Sequence, residues 1–164
     1  LGQAWGRSML VFLPSAVDAE PATTLLGEYF ASRELGFTGG TYQVFTPDPA
    51  RFTPPAGTFL VALDEDGTAV GCGGVRRIDD APDGAVRFEV KHLWLRPSTR
   101  GKGYGRALLA ALESAAVALG ATRTVLDTNA SLAAAAGLYR SSGYTDVPAY
   151  NDNPNATHWY AKDL

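Results

Sequence analysis

Cysteine is nearly absent from this chain: Cys72 stands alone among 164 residues, which excludes an intramolecular disulfide framework. A lone thiol fits a reducing compartment, so a cytoplasmic protein is expected. Histidine is almost as scarce. His92 and His158 lie far apart in sequence and offer no metal-type spacing, so no metal site is expected. Long apolar runs are missing near the N-terminus. The longest, residues 9–13, is too short for a signal peptide core or a membrane span. The first residue is Leu1, so either the natural start is missing, or Met9 is the start and residues 1–8 are a leader or vector-derived segment before it. An excess of positive charge is also lacking. A net charge of −3 argues against nucleic acid as the main partner, because phosphate binding needs a concentrated basic surface.

What is present suits one packed domain over residues 1–164. A hydrophobic fraction of 46% supports a core, and aromatic residues at 10% argue against disorder. Residues 8–13 read as a short strand. Residues 21–35 read as a helix, with Pro21 in the first turn and Gly36 at the stop. Residues 37–57, with Pro47, Pro49, Pro54 and Pro55, read as a loop near the substrate site. The period then changes to two. Residues 58–63 and 69–78 form a hairpin around Asp66-Gly67, and Gly71-Cys72-Gly73-Gly74 inside its second strand indicates a bulge or a close backbone approach. Cys72 itself reads as a buried small side chain rather than a nucleophile.

Residues 79–84 make a turn, and residues 86–95 form the next strand. Strict alternation would put Val86, Phe88, Val90, His92 and Trp94 on one face, and Arg87, Glu89, Lys91, Leu93 and Leu95 on the other. A helix follows over residues 103–119, with Tyr104, Leu108, Ala111, Leu112, Ala115 and Leu119 as its buried stripe. A strand at 122–127, an alanine-rich helix at 131–142 with Ser131 as N-cap, and extended segments at 144–147 and 157–164 complete the chain. The order predicts an α/β fold with a mixed, mostly antiparallel sheet and one right-handed β-α-β crossover.

The most informative stretch is Arg100-Gly101-Lys102-Gly103-Tyr104-Gly105-Arg106, between a strand and a helix N-terminus. Unpaired N–H groups and the positive end of the helix dipole meet there. Glycines let the backbone approach an anion, and three cations add charge, which predicts a phosphate or pyrophosphate cradle. A P-loop fails on Gly103 after Gly101-Lys102 and on Arg96 five places earlier. A Rossmann fingerprint fails because Arg106 or Leu108 falls where the closing small residue belongs, although Asp127 mimics its acidic residue.

The segment from Arg100 to Gly105 fills the acetyl-CoA signature of the GNAT N-acetyltransferases: Arg or Gln, two residues, Gly, one residue, Gly or Ala. With residues 89–97 before it and Leu138-Tyr139-Arg140-Ser141-Ser142-Gly143-Tyr144 after it, the second half of the chain resembles that family by motif, and the first half by element order. The resemblance implies a GNAT-like sheet with acetyl-CoA between two splayed strands, 86–95 and 122–127. Backbone groups of Leu93 and Leu95 would pair with the pantetheine arm. The amides of Gly101, Lys102, Gly103, Tyr104, Gly105 and Arg106 would hold the pyrophosphate.

The same resemblance implies catalytic residues. Glu89 stands eleven places before Arg100, where several members carry a basic glutamate, and is the candidate base; a solvated glutamate paired with Arg87 or Lys91 is the alternative. On the alternating strand it would share a face with Leu93 and Leu95. Tyr139 is the candidate acid for the departing thiolate, against an aromatic packing role. An asparagine that the family often places seven residues before this tyrosine is Leu132 here, so either Asn129 or Ser131 serves instead or the contact is absent. Tyr150 and Asn153 would contact the acceptor or merely form a turn, while Trp94 and Trp159 read as core. The expected activity is acetyl transfer to a small-molecule amine by a monomer or homodimer. A protein N-terminal or lysine acetyltransferase and a non-catalytic CoA-binding module are the alternatives.

Overall fold

The computed structural model describes residues 10–37, 40–129 and 133–164, the side chains of 133 and 134 excepted. Residues 8 and 9 of the expected first strand, Ser131 and Leu132 lie outside the described residues.

The described elements run β1 (Val11–Pro14), α1 (Ala22–Gly36), β2 (Gly57–Leu63), β3 (Ala69–Arg77), β4 (Arg87–Leu95), α2 (Tyr104–Ala118), β5 (Arg123–Thr128), α3 (Ala133–Ser141), β6 (Thr145–Val147) and β7 (His158–Asp163). Within the 37–57 segment a 3₁₀ turn, Pro49–Phe52, is started by Asp48, whose side chain accepts from the Ala50 amide. The strands form one mixed sheet in the order β1-β2-β3-β4-β5-β7-β6. All neighbours are antiparallel except β4 and β5, which the α2 crossover joins in parallel. This is the α/β mixed sheet expected from the order of periodicities.

Each face of the sheet buries its own cluster. Helix α1 lays Ala22, Leu25 and Leu26, with Tyr29 and Phe30 one turn on, against Phe59, Val61, Cys72 and Trp94. The opposite face packs Val75, Phe88, Val90, Leu126 and Tyr160 against Leu108, Leu109 and Leu112 of α2 and Tyr139 of α3. Each fully buried leucine contributes about 1.5–3 kcal/mol. The α2 stripe is rolled relative to the expected one. Leu109 and Ala116 are fully buried beside Leu108 and Leu112, while Tyr104 is only half-buried. Glu28 fastens α1 to the end of β4, accepting from Arg96 at 3.0 and 2.9 Å and from the Trp94 indole at 3.3 Å.

The glycine run of β3 admits close neighbours from both sides. A Cβ on Gly73 would lie 2.7 Å from Leu112 Cδ1, and one on Gly71 would lie 2.6 Å from the Trp94 carbonyl. The bulge itself sits on the facing strand. Gly74 pairs with Lys91 and Cys72 with Trp94, so two residues of β4, His92 and Leu93, oppose Gly73 alone. His92 takes a positive φ of 58° to make the bulge. The extra residue corrects the alternation expected for this strand. Leu93 and Leu95 turn onto the α2 face with Phe88 and Val90, and Trp94 joins the α1 face with its partner Cys72. Glu89 therefore does not share a face with Leu93 and Leu95: its partner Arg76 lies an even number of residues from Cys72, on the α1 side.

Candidate active site

Strands β4 and β5 pair over only three positions, Arg87 with Arg123, Phe88 with Thr124 and Glu89 with Val125. Beyond Glu89, β4 stays with β3 and β5 stays with β7, so the two strands part. A cavity of about 360 Å³ opens at the parting. Its walls are Val90, Lys91, His92 and Leu93 from β4, Leu126 to Thr128 from β5, α1, the proline-rich loop, residues 151–156, and Tyr139.

The charged residues on this face form one network across the parting. Lys91 Nζ donates to Asp127 Oδ1 at 3.0 Å and lies 3.7 Å from Glu89 Oε2. Asn151 Nδ2 reaches Asp127 Oδ2 at 2.7 Å and Glu89 Oε2 at 3.2 Å, and its Oδ1 accepts from the Trp159 indole at 2.8 Å. Tyr150 donates to Glu89 Oε2 at 2.7 Å, and Asn153 Nδ2 to Asp127 Oδ2 at 3.2 Å. Asn155 closes the rim as a backbone-like clamp, accepting from the Gln43 amide at 3.1 Å and donating to its carbonyl at 2.7 Å.

The two carboxylates differ in what they leave free. Glu89 is 1% exposed, and Arg76 closes on its Oε1 through Nε at 3.0 Å and Nη2 at 2.9 Å. With Tyr150 and Asn151 on Oε2, all its acceptor directions are engaged, and it is not among the residues lining the cavity. Asp127 does line it. Its Oδ2 takes three donors and its Oδ1 takes only Lys91, so one acceptor direction of Oδ1 has no donor among the described residues. Burial pushes the Asp127 carboxyl up, but the Lys91 charge and the amides of Asn151 and Asn153 outweigh it and hold it below the usual carboxylate range.

Tyr139 is 6% exposed and borders the cavity, with the rings of Tyr144 and Tyr160 at 6.1 and 5.9 Å. Burial pushes its hydroxyl up to about 12, so it stays protonated at neutral pH. His92 packs edge-on to Tyr29 and Phe30 at 5.4 and 5.5 Å, and burial lowers its ring to about 3. The Cys72 thiol donates to the His92 carbonyl at 3.6 Å, and burial raises it to about 12, as an inert buried side chain requires.

The glycine turn lies at the other end of β4. Gly101 and Gly103 have φ of 83° and 78°, where side chains are disfavoured, and a Cβ on either would meet nothing within 4 Å. Gly103 is the N-cap of α2 and has no capping side chain, so the first amides of the helix lack an intrahelical partner. This open, donor-rich concavity fits a pyrophosphate. The neighbouring cations are differently placed. Arg100 donates to the Leu95 carbonyl at 3.1 Å and stacks over Trp94, and Arg106 binds Ser141 at the end of α3 through its carbonyl and hydroxyl. Lys102, exposed like Arg100 and Arg106, lies 6.0 Å from the Tyr104 ring. Gly105 lies against Leu95 and Leu138, and Leu93 reaches the cavity wall. Asn129, at the end of β5, donates to the Asn155 carbonyl at 3.0 Å.

Tyr139, Leu93, Asn129 and Asn153, all marked in the sequence, line this cavity, as does Asp127, whose sequence context suggests only the acidic residue of a nucleotide-binding unit. Its position two residues before Asn129 was the available signal. Trp159, expected in the core, is only partly buried and belongs to the network.

Residues 25–144 match the profile of the Acetyltransferase (GNAT) family. An uncharacterized N-acetyltransferase of Schizosaccharomyces pombe is 33% identical over 138 residues, covering 84% of this chain and 82% of that one. A candidate acyl-CoA N-acyltransferase of Klebsiella pneumoniae has the same fold with a TM-score of 0.75, at 25% identity over 96% of this chain and 99% of that one. A phosphinothricin acetyltransferase of Sinorhizobium meliloti, solved with acetyl-CoA, superposes with a TM-score of 0.64 at 20% identity over 95% of this chain and 89% of that one. A sheet that parts at its parallel pair, a glycine turn at the end of one parted strand and a family match across both together make this chain a member of the GNAT family of acetyltransferases, an acyltransferase that uses acetyl-CoA.

Proposed function

We propose that this chain moves the acetyl group of acetyl-CoA onto the primary amine of a small molecule bound in the 360 Å³ cavity. The carrying observation is that the parting of β4 and β5 after Glu89 opens onto that cavity, which lies at the small end of the ~300–1,000 Å³ range for small-molecule sites. When bound, acetyl-CoA supplies an activated thioester. The amides at Gly101, Lys102, Gly103, Tyr104, Gly105 and Arg106 hold its pyrophosphate, and Leu93, Leu95 and Asn129 border its arm.

Asp127 receives the acceptor's ammonium at the open side of Oδ1 and passes on the proton it loses. Glu89 holds Arg76, Lys91, Tyr150 and Asn151 in place, a positioning role, because its carboxylate has no direction left for a substrate proton. Tyr139 gives a proton to the departing sulfur and recovers one from solvent. In balance, the N–C bond forms as the C–S bond breaks, giving an N-acetylated amine, CoA with its thiol protonated, and one proton to water.

Thiol release from acetyl-CoA, measured with a panel of amino acids, amines, polyamines and peptides, tests the reading. Turnover of a small amine with a KM in the millimolar range or below supports it. Turnover of peptides alone would assign the chain to protein acetylation instead.

A further inference from the structure

Most charges that line the cavity are already paired. Arg76 is held by Glu89, and Lys91 by Asp127. Arg33 is the exception among the cations. Its guanidinium carbon lies 4.8 Å over the Tyr29 ring, and no hydrogen bond or ion pair to another described residue engages it. It sits on the last turns of α1, on the stripe that continues from Tyr29 and Phe30. Around it the wall is aromatic, formed by Tyr29, Phe30, Phe37, Tyr42 and Phe45. The opposite wall, on β5, carries Asp127 with its open oxygen. Both poles act on one space: Arg33 and Asp127 influence the hydroxyls of Tyr42 and Tyr139 alike, with opposite sign.

A cavity lined by an unpaired guanidinium, an open acceptor oxygen and aromatic rings complements a molecule that carries the matching groups. Such a molecule carries a carboxylate, an ammonium and an apolar body. From this we infer that the acceptor is a free α-amino acid with an aromatic or large apolar side chain, whose carboxylate is held by Arg33. The guanidinium fork binds a carboxylate through paired N–H donors, a geometry that an ammonium or an uncharged amide does not satisfy. The amine then faces Asp127 at the parted strands, and the side chain lies on the rings of α1 and the proline-rich loop. The reaction forms the amide bond at the amino acid nitrogen and breaks the thioester C–S bond. The nitrogen loses two protons, one as the ammonium becomes the amine, by way of Asp127, and one as the amide forms, both to solvent. Tyr139 supplies the proton that the sulfur keeps, and solvent returns one to Tyr139, leaving one proton released. This assignment rests on the acetyltransferase reading above and specifies its acceptor.

The test compares phenylalanine with phenylalaninamide, which keeps the amine and the ring but lacks the carboxylate. The wild-type chain should prefer phenylalanine by about 100-fold in kcat/KM, because a site built to bind a polar group discriminates strongly against its absence. In Arg33→Gln that ratio should fall to near one, and in Arg33→Lys it should recover in part. The ratio from one preparation is independent of the folded fraction, so partial unfolding cannot imitate the result. Calorimetry with N-acetylphenylalanine in the presence of CoA gives a second readout, and its affinity should fall at least tenfold in Arg33→Gln. Equal turnover of the two acceptors by wild type, or a preference that persists in Arg33→Gln, overturns the assignment. Acetylation of a polyamine or peptide without phenylalanine, leucine or tryptophan overturns the acceptor class and leaves acetyl transfer standing. Turnover of no amine in the panel overturns both.

Discussion

Lys91 and Asp127 face each other across the opening between β4 and β5, with Nζ 3.0 Å from Oδ1, two residues beyond the last paired position on each strand. The pair bridges a gap in the sheet that backbone hydrogen bonds no longer close. It also limits what Asp127 can do, because Lys91 and two asparagine amides occupy all but one direction of its oxygens.

Asp127→Asn keeps the size and removes the charge. Acetylation should fall about 10²-fold in kcat/KM, the usual contribution of a positioned proton acceptor, with CoA affinity almost unchanged. The variant also leaves Lys91 with Glu89 Oε2, 3.7 Å away, as its remaining ion-pair partner, at a cost of roughly 1–3 kcal/mol. Because the folded carboxyl is held below its ordinary value, the stability it contributes is full above about pH 4, the ordinary aspartate value, and is lost as pH falls through the folded value. Urea denaturation at neutral pH should separate wild type from variant clearly, and the gap should narrow in acid. A gap of the same size at both would assign the loss to packing.

Glu89→Gln separates a proton acceptor from a positioning residue. With its carboxylate saturated by four donors, the substitution should loosen Tyr150 and Asn151 and lower kcat/KM by about tenfold, by an equal factor from pH 6 to 10. A base would behave differently. Its loss would be about 10²- to 10⁴-fold at neutral pH and would shrink as pH rises toward the ~10.4 of an alkyl ammonium. Rate profiles of both proteins over that range decide between the roles.

Tyr139→Phe retains the ring that packs on Tyr144 and Tyr160. The hydroxyl, raised to about 12 by burial, is a donor throughout the physiological range. Removing it should lower kcat about 10²-fold while leaving CoA affinity and thermal midpoint near wild type. An unchanged kcat would leave Tyr139 with packing alone.

Gly103→Val tests the cradle. There is open space for a side chain there, but φ is 78°, so the substitution strains the turn and covers the free amides of α2. CoA affinity by calorimetry should weaken at least tenfold in a protein that still folds. Gly105→Ala is the informative companion: its Cβ would meet Leu138 and Leu95 at 3.4 and 3.5 Å, toward the core, so a small effect on CoA is expected there.

The order of elements was legible because the local signals agreed. Period-two patterns with Asp66-Gly67 between them, an apolar stripe over residues 104–119, and proline or glycine at helix ends each carry their own physics over short distances. The glycine turn before α2 was legible for the same reason, since its chemistry depends on backbone freedom and a helix end, both local. The face of β4 was not. Strict alternation from residue 86 to 95 breaks at His92, and the bulge shows only in the pairing of β4 with β3, where Gly73 alone faces His92 and Leu93. Nor was the difference between Glu89 and Asp127. In the sequence Glu89 stands as the candidate base and Asp127 only as the mimic of a nucleotide-binding acid, and only the tertiary structure brings Arg76, Tyr150 and Asn151 onto the first while leaving an oxygen of the second open to the cavity. Sequence alone determined where a chain of this pattern turns, coils and can meet a phosphate. The fold decided which carboxylate is saturated by donors and which keeps an oxygen open toward the cavity, because that depends on contacts up to 62 residues apart that no local pattern encodes.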